Sequence, residues 1–296
     1  MSARAERNHG GSDAVVAQRG RADYRSLAAA AAGATDRNGD GRITIVVGDG
    51  IFREPVPIMR AVEILGAGHG RSVVDARGLG SALTLGSAGA SIDGVTASGG
   101  TAGVTVAVPM TVSGLDARAN FGAGIELAVD GSVATACVVR ANGGAGISLT
   151  AAASAVANTA IDNAGAGIAA VTGAGGVAIS ANVLTQNGHE GIWVQSADAP
   201  LVTANAIGGN YGTGIELEET IGGTVTANRA AGNDGEGLRL TQTDGALVDG
   251  NDFTANHGFG MRIDRASADF DAAPGTQDPA GTNDVSDNRK GPIEIK

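Results

Sequence analysis

Between Asn182 and Met261 the chain repeats one phrase four times. It reads Asn182…Asn187-Gly-His-Glu-Gly-Ile192, Asn205…Asn210-Tyr-Gly-Thr-Gly-Ile215, Asn228…Asn233-Asp-Gly-Glu-Gly-Leu238 and Asn251…Asn256-His-Gly-Phe-Gly-Met261. The closing apolar residue recurs every 23 positions. A fixed period in the low twenties, rich in Gly, Asn and alternating β-formers, belongs to a stacked solenoid. Each unit is too small to bury its own apolar side and must stack on its neighbours. Aromatics make up 3% of the chain and glycine 49 of its 296 residues. The interior is therefore a thin stack of Val, Ile, Leu and Ala.

Followed outward, the same marker falls at Leu83, Val104, Ile125, Ile147, Ile168, Ile192, Ile215, Leu238, Met261 and Ile293. The last step is long because a segment rich in Asp, Ala, Pro and Gly intrudes, read as a loop insertion over 265–282. About ten coils at ~4.8 Å per strand make a rod of roughly 45–50 Å. Two asparagines per coil form columns. Asn158, Asn182, Asn205, Asn228, Asn251 and Asn288 are expected in one, and Asn120, Asn142, Asn163, Asn187, Asn210, Asn233 and Asn256 in the other. Stacked amides can satisfy turn backbone that no ladder reaches, so these residues are read as structural. Cys137 falls in an Asn slot and reads as a small buried thiol that can form no internal disulfide.

Net charge is −11, which argues against nucleic acid as partner. No apolar run is long enough to span a membrane. Residues 1–22 read as a disordered leader without the apolar core of a signal peptide. The protein is then cytoplasmic, or secreted or surface-bound if a leader has been removed. Oligomeric state is not legible. Asp23 is expected to cap a short helix within 23–33 that plugs the first coil. In Asp36-Arg-Asn38-Gly-Asp40-Gly41, oxygen donors at alternate positions precede a Gly, as in half a calcium loop. Val47 stands where the bidentate Glu belongs, so a polar turn is the main reading and Ca2+ at Asp36, Asn38 and Asp40 the alternative.

Gly48-Asp-Gly-Ile-Phe52-Arg-Glu54-Pro-Val56, Val62-Glu-Ile64-Leu-Gly-Ala-Gly68 and Val73-Val-Asp75, following the cap helix, resemble the opening of the pectate-lyase-like superfamily. With the repeats, the resemblance covers roughly 23–296. It implies an all-β, single-stranded right-handed parallel β-helix with a short N-terminal capping α-helix. It says little about activity, since one fold hosts many chemistries.

Strand alternation sends the residue after each marker outward. That column reads Thr84, Thr105, Glu126, Ser148, Ala169, Trp193, Glu216, Arg239, Arg262, Glu294. Beside it run Gln195, Glu218, Thr241 and Asp264, and the preceding turns carry Tyr211, Asp234 and His257, with His189, Glu236 and Phe259 close by. The first half of this face is bland; the second gathers aromatic and charged residues. Large polar residues on a solenoid face can simply be solvated, but a lone Trp among them suits stacking on a sugar ring, or else packing under a loop such as the 265–282 insertion. Arg239 and Arg262 on neighbouring coils need an anion. Glu216 and Asp264 would make them an ion-pair ladder, and a sugar carboxylate would make them a substrate clamp.

Two mechanisms are open. A uronate docks on Arg239 and Arg262 while His257, Tyr211 or His189 moves a proton, giving β-elimination or C5-epimerisation. Alternatively Glu216 acts with Glu218, Glu236 or Asp264 as the acid–base pair of a glycoside hydrolase. The leading expectation is a carbohydrate-active enzyme, with lyase or epimerase chemistry ahead. Trp193, Arg262, Gln195, Glu218, Asp234, Glu236, Phe259 and Asp264 are its substrate-binding candidates. A non-catalytic carbohydrate-binding or structural β-helix is the rival.

Overall fold

The structure, a computed structural model, describes residues 11–171, 175–266, 268–270 and 282–296. One coil shows how the repeat becomes structure. Ile192–Gln195 lies in one sheet, Leu201–Thr203 in a second and Ala206–Gly208 in a third, and Ile215–Glu218 then returns to the first. Every strand pairs in parallel with its counterpart one coil away, as Ile192 does with Ile215 and Leu217 with Leu240. The fold is an all-β parallel β-helix of single-stranded type. Its longest sheet has 11 strands, the others 9, 8 and 4, and the last two follow one another along one side. All ten marker positions lie in the longest sheet, and Val56–Ile58 adds one strand ahead of Leu83.

The core is a file of markers at or near zero exposure, among them Ile125, Ile147, Ile168, Ile192, Ile215 and Leu238. From Val104 to Met261 the Gly just before each marker marks a close approach. A Cβ on Gly214 would sit 2.7 Å from the Gly237 carbonyl oxygen of the next coil and 2.7 Å from Ala230 Cβ. The repeat's second glycine is thus fixed by contact between coils.

Both asparagine columns are continuous buried ladders. Asn205 Nδ2 donates to Asn228 Oδ1 at 2.9 Å and to the Ile179 carbonyl at 2.9 Å, while its own Oδ1 accepts the backbone N–H of Asn182 at 3.0 Å. The ends of the columns differ from the expected order. Asn251 donates to Asn283, whereas Asn288 receives Asn256 in the other column. The two columns stay five residues apart across the insertion, so 283 follows 251 and 288 follows 256. Cys137 does occupy an Asn slot, buried, with its N–H donating to Asn158 Oδ1. Burial pushes its thiol pKa up.

The N-terminal end departs from expectation in two places. Ala14–Val16, inside the expected leader, is a strand paired with Ile45–Val47. Its alternating apolar residues cover the open edge of the first coil; residues 1–10 lie outside the described residues. The helix runs Leu27–Gly33 and is capped by Ser26, not Asp23. Glu54 accepts from Ser26 Oγ and from the Leu27 N–H, each at 2.7 Å, so a carboxylate from the second coil holds the helix N-terminus. Asp23 instead pairs with Arg37 at 2.9 Å. Of the expected insertion over 265–282, Ala268–Phe270 forms a strand against Ala246–Val248; 267 and 271–281 lie outside the described residues. No helix among the described residues is long and apolar enough to cross a membrane.

Asp36, Asn38 and Asp40 form the polar turn. Asp36 accepts from the N–H groups of Gly39 and Gly41, Asn38 from Asp40, and Asp40 from Arg42. Because the loop's own amides engage these oxygens, adding chelator is expected to leave the melting curve unchanged. A fall of several degrees would instead establish a structural Ca2+ there.

Candidate functional site

Parallel pairing in strict register turns one period of sequence into one strand spacing. Trp193 lies beside Glu216, Glu216 beside Arg239, Arg239 beside Arg262 and Arg262 beside Glu294. The neighbouring outward row runs Gln195, Glu218, Thr241, Asp264. Ile215 and Leu217 point inward and are fully buried, which obliges Glu216 and Glu218 to share the outer face. The expected strip therefore exists as one wall.

Its electrostatics are those of a dense ion-pair network. Arg239 lies 3.5 Å from Glu216 Oε1 and 3.6 Å from Asp264 Oδ2. Arg262 donates through Nε to Asp264 Oδ2 at 2.8 Å and lies 3.3 Å from Glu294 and 3.8 Å from Glu236. Of the two readings open for these arginines, the geometry realises the ladder: four carboxylates surround two guanidinium groups. One donor is left over, since Arg239 Nε is buried and makes no hydrogen bond.

Glu216 is the chemically unusual member. Its side chain is only 13% exposed, and burial raises its pKa from 4.5 to about 7. Arg239 opposes the shift, while the charges of Glu190, Glu218 and Glu236 add to it. Glu218 sits two residues along the same strand and accepts from Trp193 Nε1 at 3.3 Å. Trp193 is half-buried, with its polar edge satisfied by Glu218. Glu236 is buried and accepts from Thr213 Oγ1 at 3.3 Å.

The remaining candidates stand apart from this centre. Tyr211, Asp234 and His257 line up along the turn ridge, each donating its backbone N–H to the preceding coil's Asn carbonyl. Tyr211 is 69% exposed, and His257 pairs with Asp234 at 3.0 Å in the open. His189 belongs to a different position of the turn, stacked on Gly212 rather than on Tyr211. Phe259 is half-buried with Lys290 5.9 Å above its ring. One charged group escaped the sequence reading: on the sheet containing Val138–Arg140, Arg118 and Arg140 are register partners around buried Asp116. Their spacing of one period was the available signal.

A single-stranded parallel β-helix with a charged and aromatic strip along one outer sheet is the class of protein that this fold defines. A family model described as periplasmic copper-binding protein (NosD) matches residues 69–229 and 110–270, and the chain belongs to that family. Among solved structures it resembles the A-module of mannuronan C-5 epimerase AlgE4 of Azotobacter vinelandii, with a TM-score of 0.66 and 16% identity over 88% of this chain and 90% of that one. The periplasmic alginate epimerase AlgG gives 0.56 and 15% over 88% and 64%. The enzymatically active domain of bacteriophage CBA120 tailspike protein 2 gives 0.58 and 11% over 86% and 43%. At these identities the likeness concerns the fold. No curated protein sequence matches the chain.

Proposed function

We propose that the outer strip binds a polysaccharide chain and acts on it by general acid–base chemistry centred on Glu216. The observation that carries this reading is the raised pKa of about 7 on Glu216, beside an ionisable partner and a tryptophan on one open face. A carboxylic acid still protonated near neutrality is what leaving-group protonation requires. Glu216 and Glu218 stand two residues apart on one strand, roughly 6.5–7 Å by strand geometry, at the edge of the inverting range for glycosidases. In this reading a sugar ring stacks against Trp193. Glu216 passes its proton to the glycosidic oxygen as the bond to the anomeric carbon breaks. Water, losing its proton to Glu218, bonds to that carbon from the opposite side.

Arg239 has an electrostatic task in this scheme, because its charge holds the Glu216 pKa down. Arg239→Ala is expected to shift the Glu216 titration, followed by carboxyl carbon NMR, to higher pH while the melting temperature moves by a few degrees at most. A much larger fall would assign Arg239 to holding the sheet together.

Uronate elimination or epimerisation remains the second reading, favoured by Arg239 Nε, which is ion-paired with Asp264 but makes no hydrogen bond. Against it stand the carboxylates Glu216, Glu236, Asp264 and Glu294, with which a sugar carboxylate would have to compete. The names of the epimerases sharing the fold support polysaccharide as the ligand class. Incubation with a panel of neutral and acidic glycans separates the readings. New reducing ends without unsaturated-uronate absorbance support hydrolysis, that absorbance supports elimination, and binding with neither leaves a non-catalytic grip.

The family description raises copper. Among the described residues soft donors do not converge: Cys137, Met110 and Met261 are buried in the core, Met59 is exposed far along the rod, and His69, His189 and His257 lie on separate coils. Among the described residues no three His, Cys, Asp or Glu side chains are grouped to hold a metal ion. The donor set does not fit copper, and the proposed chemistry uses carboxylates alone.

A further inference from the structure

On the sheet that carries Asp116–Arg118 and Val138–Arg140, a second charged centre has the opposite balance from the strip. Asp116 is 1% exposed although it lies on the outer face. The loop around His69 and Gly70 helps cover it: the Gly70 N–H donates to Thr96 Oγ1 at 2.8 Å, and Thr96 Oγ1 donates to Asp116 Oδ2 at 3.2 Å. His69 Nε2 donates to the Gly114 carbonyl at 2.7 Å, pinning the loop down. Arg140 grips Asp116 with Nε and Nη2 at 3.3 and 3.2 Å. Arg118, its neighbour across the ladder, reaches Asp116 only at 3.7 Å, too far for a hydrogen bond.

Two guanidinium groups thus share one carboxylate, and that carboxylate is already engaged by Arg140 and Thr96. Among the described residues Arg118 makes no side-chain hydrogen bond, and its ion pair with Asp116 at 3.7 Å engages only its Nε edge. Arg118 and Arg140 are 32% and 43% exposed, open to solvent on one side. The next carboxylate in the outward row, Asp75, is two strand spacings from Arg118, roughly 10 Å away, and accepts the backbone N–H of Arg77. Like charges on adjacent strands repel unless an anion lies between or beside them. In the Arg239–Arg262 pair carboxylates fill that role; here one place is open.

We propose that Arg118 and Arg140 form an oxyanion-binding site, taking a sulfate, phosphate or carboxylate group in the fork presented by Arg118, with Asp116 as the buried anchor that orients Arg140. The site is separate from the Glu216 strip, lies on another sheet and does not depend on the reaction proposed there. Guanidinium recognition of an oxyanion is directional, because paired N–H groups match paired oxygens. It also gives this protein of net charge −11 a local place where an anion is welcome.

The test is a comparison of melting temperatures for the wild type and Arg118→Gln. Each is measured in sodium sulfate, sodium phosphate and sodium glucuronate against sodium chloride of equal ionic strength. The general salting effect on the surface acts on both proteins and cancels. At least one oxyanion should raise the wild type by about 2–4 °C more than the variant, saturating with concentration. A response to sulfate or phosphate alone assigns an ester-type or free inorganic anion; a response to glucuronate assigns a sugar carboxylate. Arg118→Lys keeps the charge but loses the fork and should forfeit most of the increment. Equal responses of the wild type and Arg118→Gln to all three anions overturn the proposal, as does a full increment in Arg118→Lys.

Discussion

Glu216→Gln is expected to abolish turnover of the responsive glycan, a loss of about 10²–10⁴-fold if general acid catalysis is its role, and at the same time to stabilise the protein at alkaline pH. The two effects share one cause. In the unfolded chain Glu216 titrates near 4.5, in the folded protein near 7. Below pH 4.5 both states hold the proton and the residue makes no difference to stability. Between pH 4.5 and 7 the unfolded state releases its proton first, so the folded state binds more protons and stability falls as pH rises. Above pH 7 the folded protein carries a charge held among Glu190, Glu218 and Glu236 with only Arg239 in compensation. The full cost is on the order of 3 kcal/mol by linkage. Glutamine keeps the size and polarity of the side chain and has no proton to lose. The variant's melting temperature should therefore match the wild type at pH 4 and exceed it at pH 8, with a flatter slope between. A variant that lost activity but kept the wild-type slope would show that Glu216 titrates as an ordinary surface acid, and the acid role assigned to it would fail.

The largest purely structural effect should come from Asn205→Ala. Asn205 is 2% exposed and acts in both directions along its column. Truncation removes the donor that satisfies the Ile179 carbonyl and Asn228 Oδ1. It also removes the acceptor for the N–H and Nδ2 of Asn182. Each group stranded in a dry turn costs about 1–3 kcal/mol, and water that enters the cavity recovers part of this. A net loss of about 3–5 kcal/mol is expected, measured by denaturant melting, against less than about 0.5 kcal/mol for Asp234→Ala on the exposed ridge of the same region. Equal small losses at both positions would mean that the ladder follows the fold rather than supporting it.

The period of 23 was enough to place Trp193, Glu216, Arg239 and Arg262 side by side, because parallel pairing maps sequence distance onto strand spacing without slippage. The same arithmetic put Ile215 and Leu217 inside and therefore Glu216 and Glu218 outside. It failed where regularity is broken. Asn288 was expected in the Asn251 column, since the intervening insertion hides how many residues separate corresponding turns. Asp23 looked like the helix cap because the carboxylate that supports the true cap, Ser26, is Glu54 from the following coil. Arg118 and Arg140 were a period apart from the outset, but nothing local marks the burial of Asp116 beneath a loop that begins more than forty residues earlier.

What the sequence determined by itself was the architecture and the composition of each wall: a repeat too small to fold alone must stack, and stacking fixes which side chains become neighbours. What only the tertiary structure decided was the state of those side chains. Whether Arg239 and Arg262 await an anion or already hold several, whether Glu216 keeps its proton at neutral pH, and whether Arg118 is answered by a protein acceptor all depend on distance and solvent exposure. A carboxylate two residues away along the chain and one several coils away act alike once they stand at the same separation in the same partly dry surroundings.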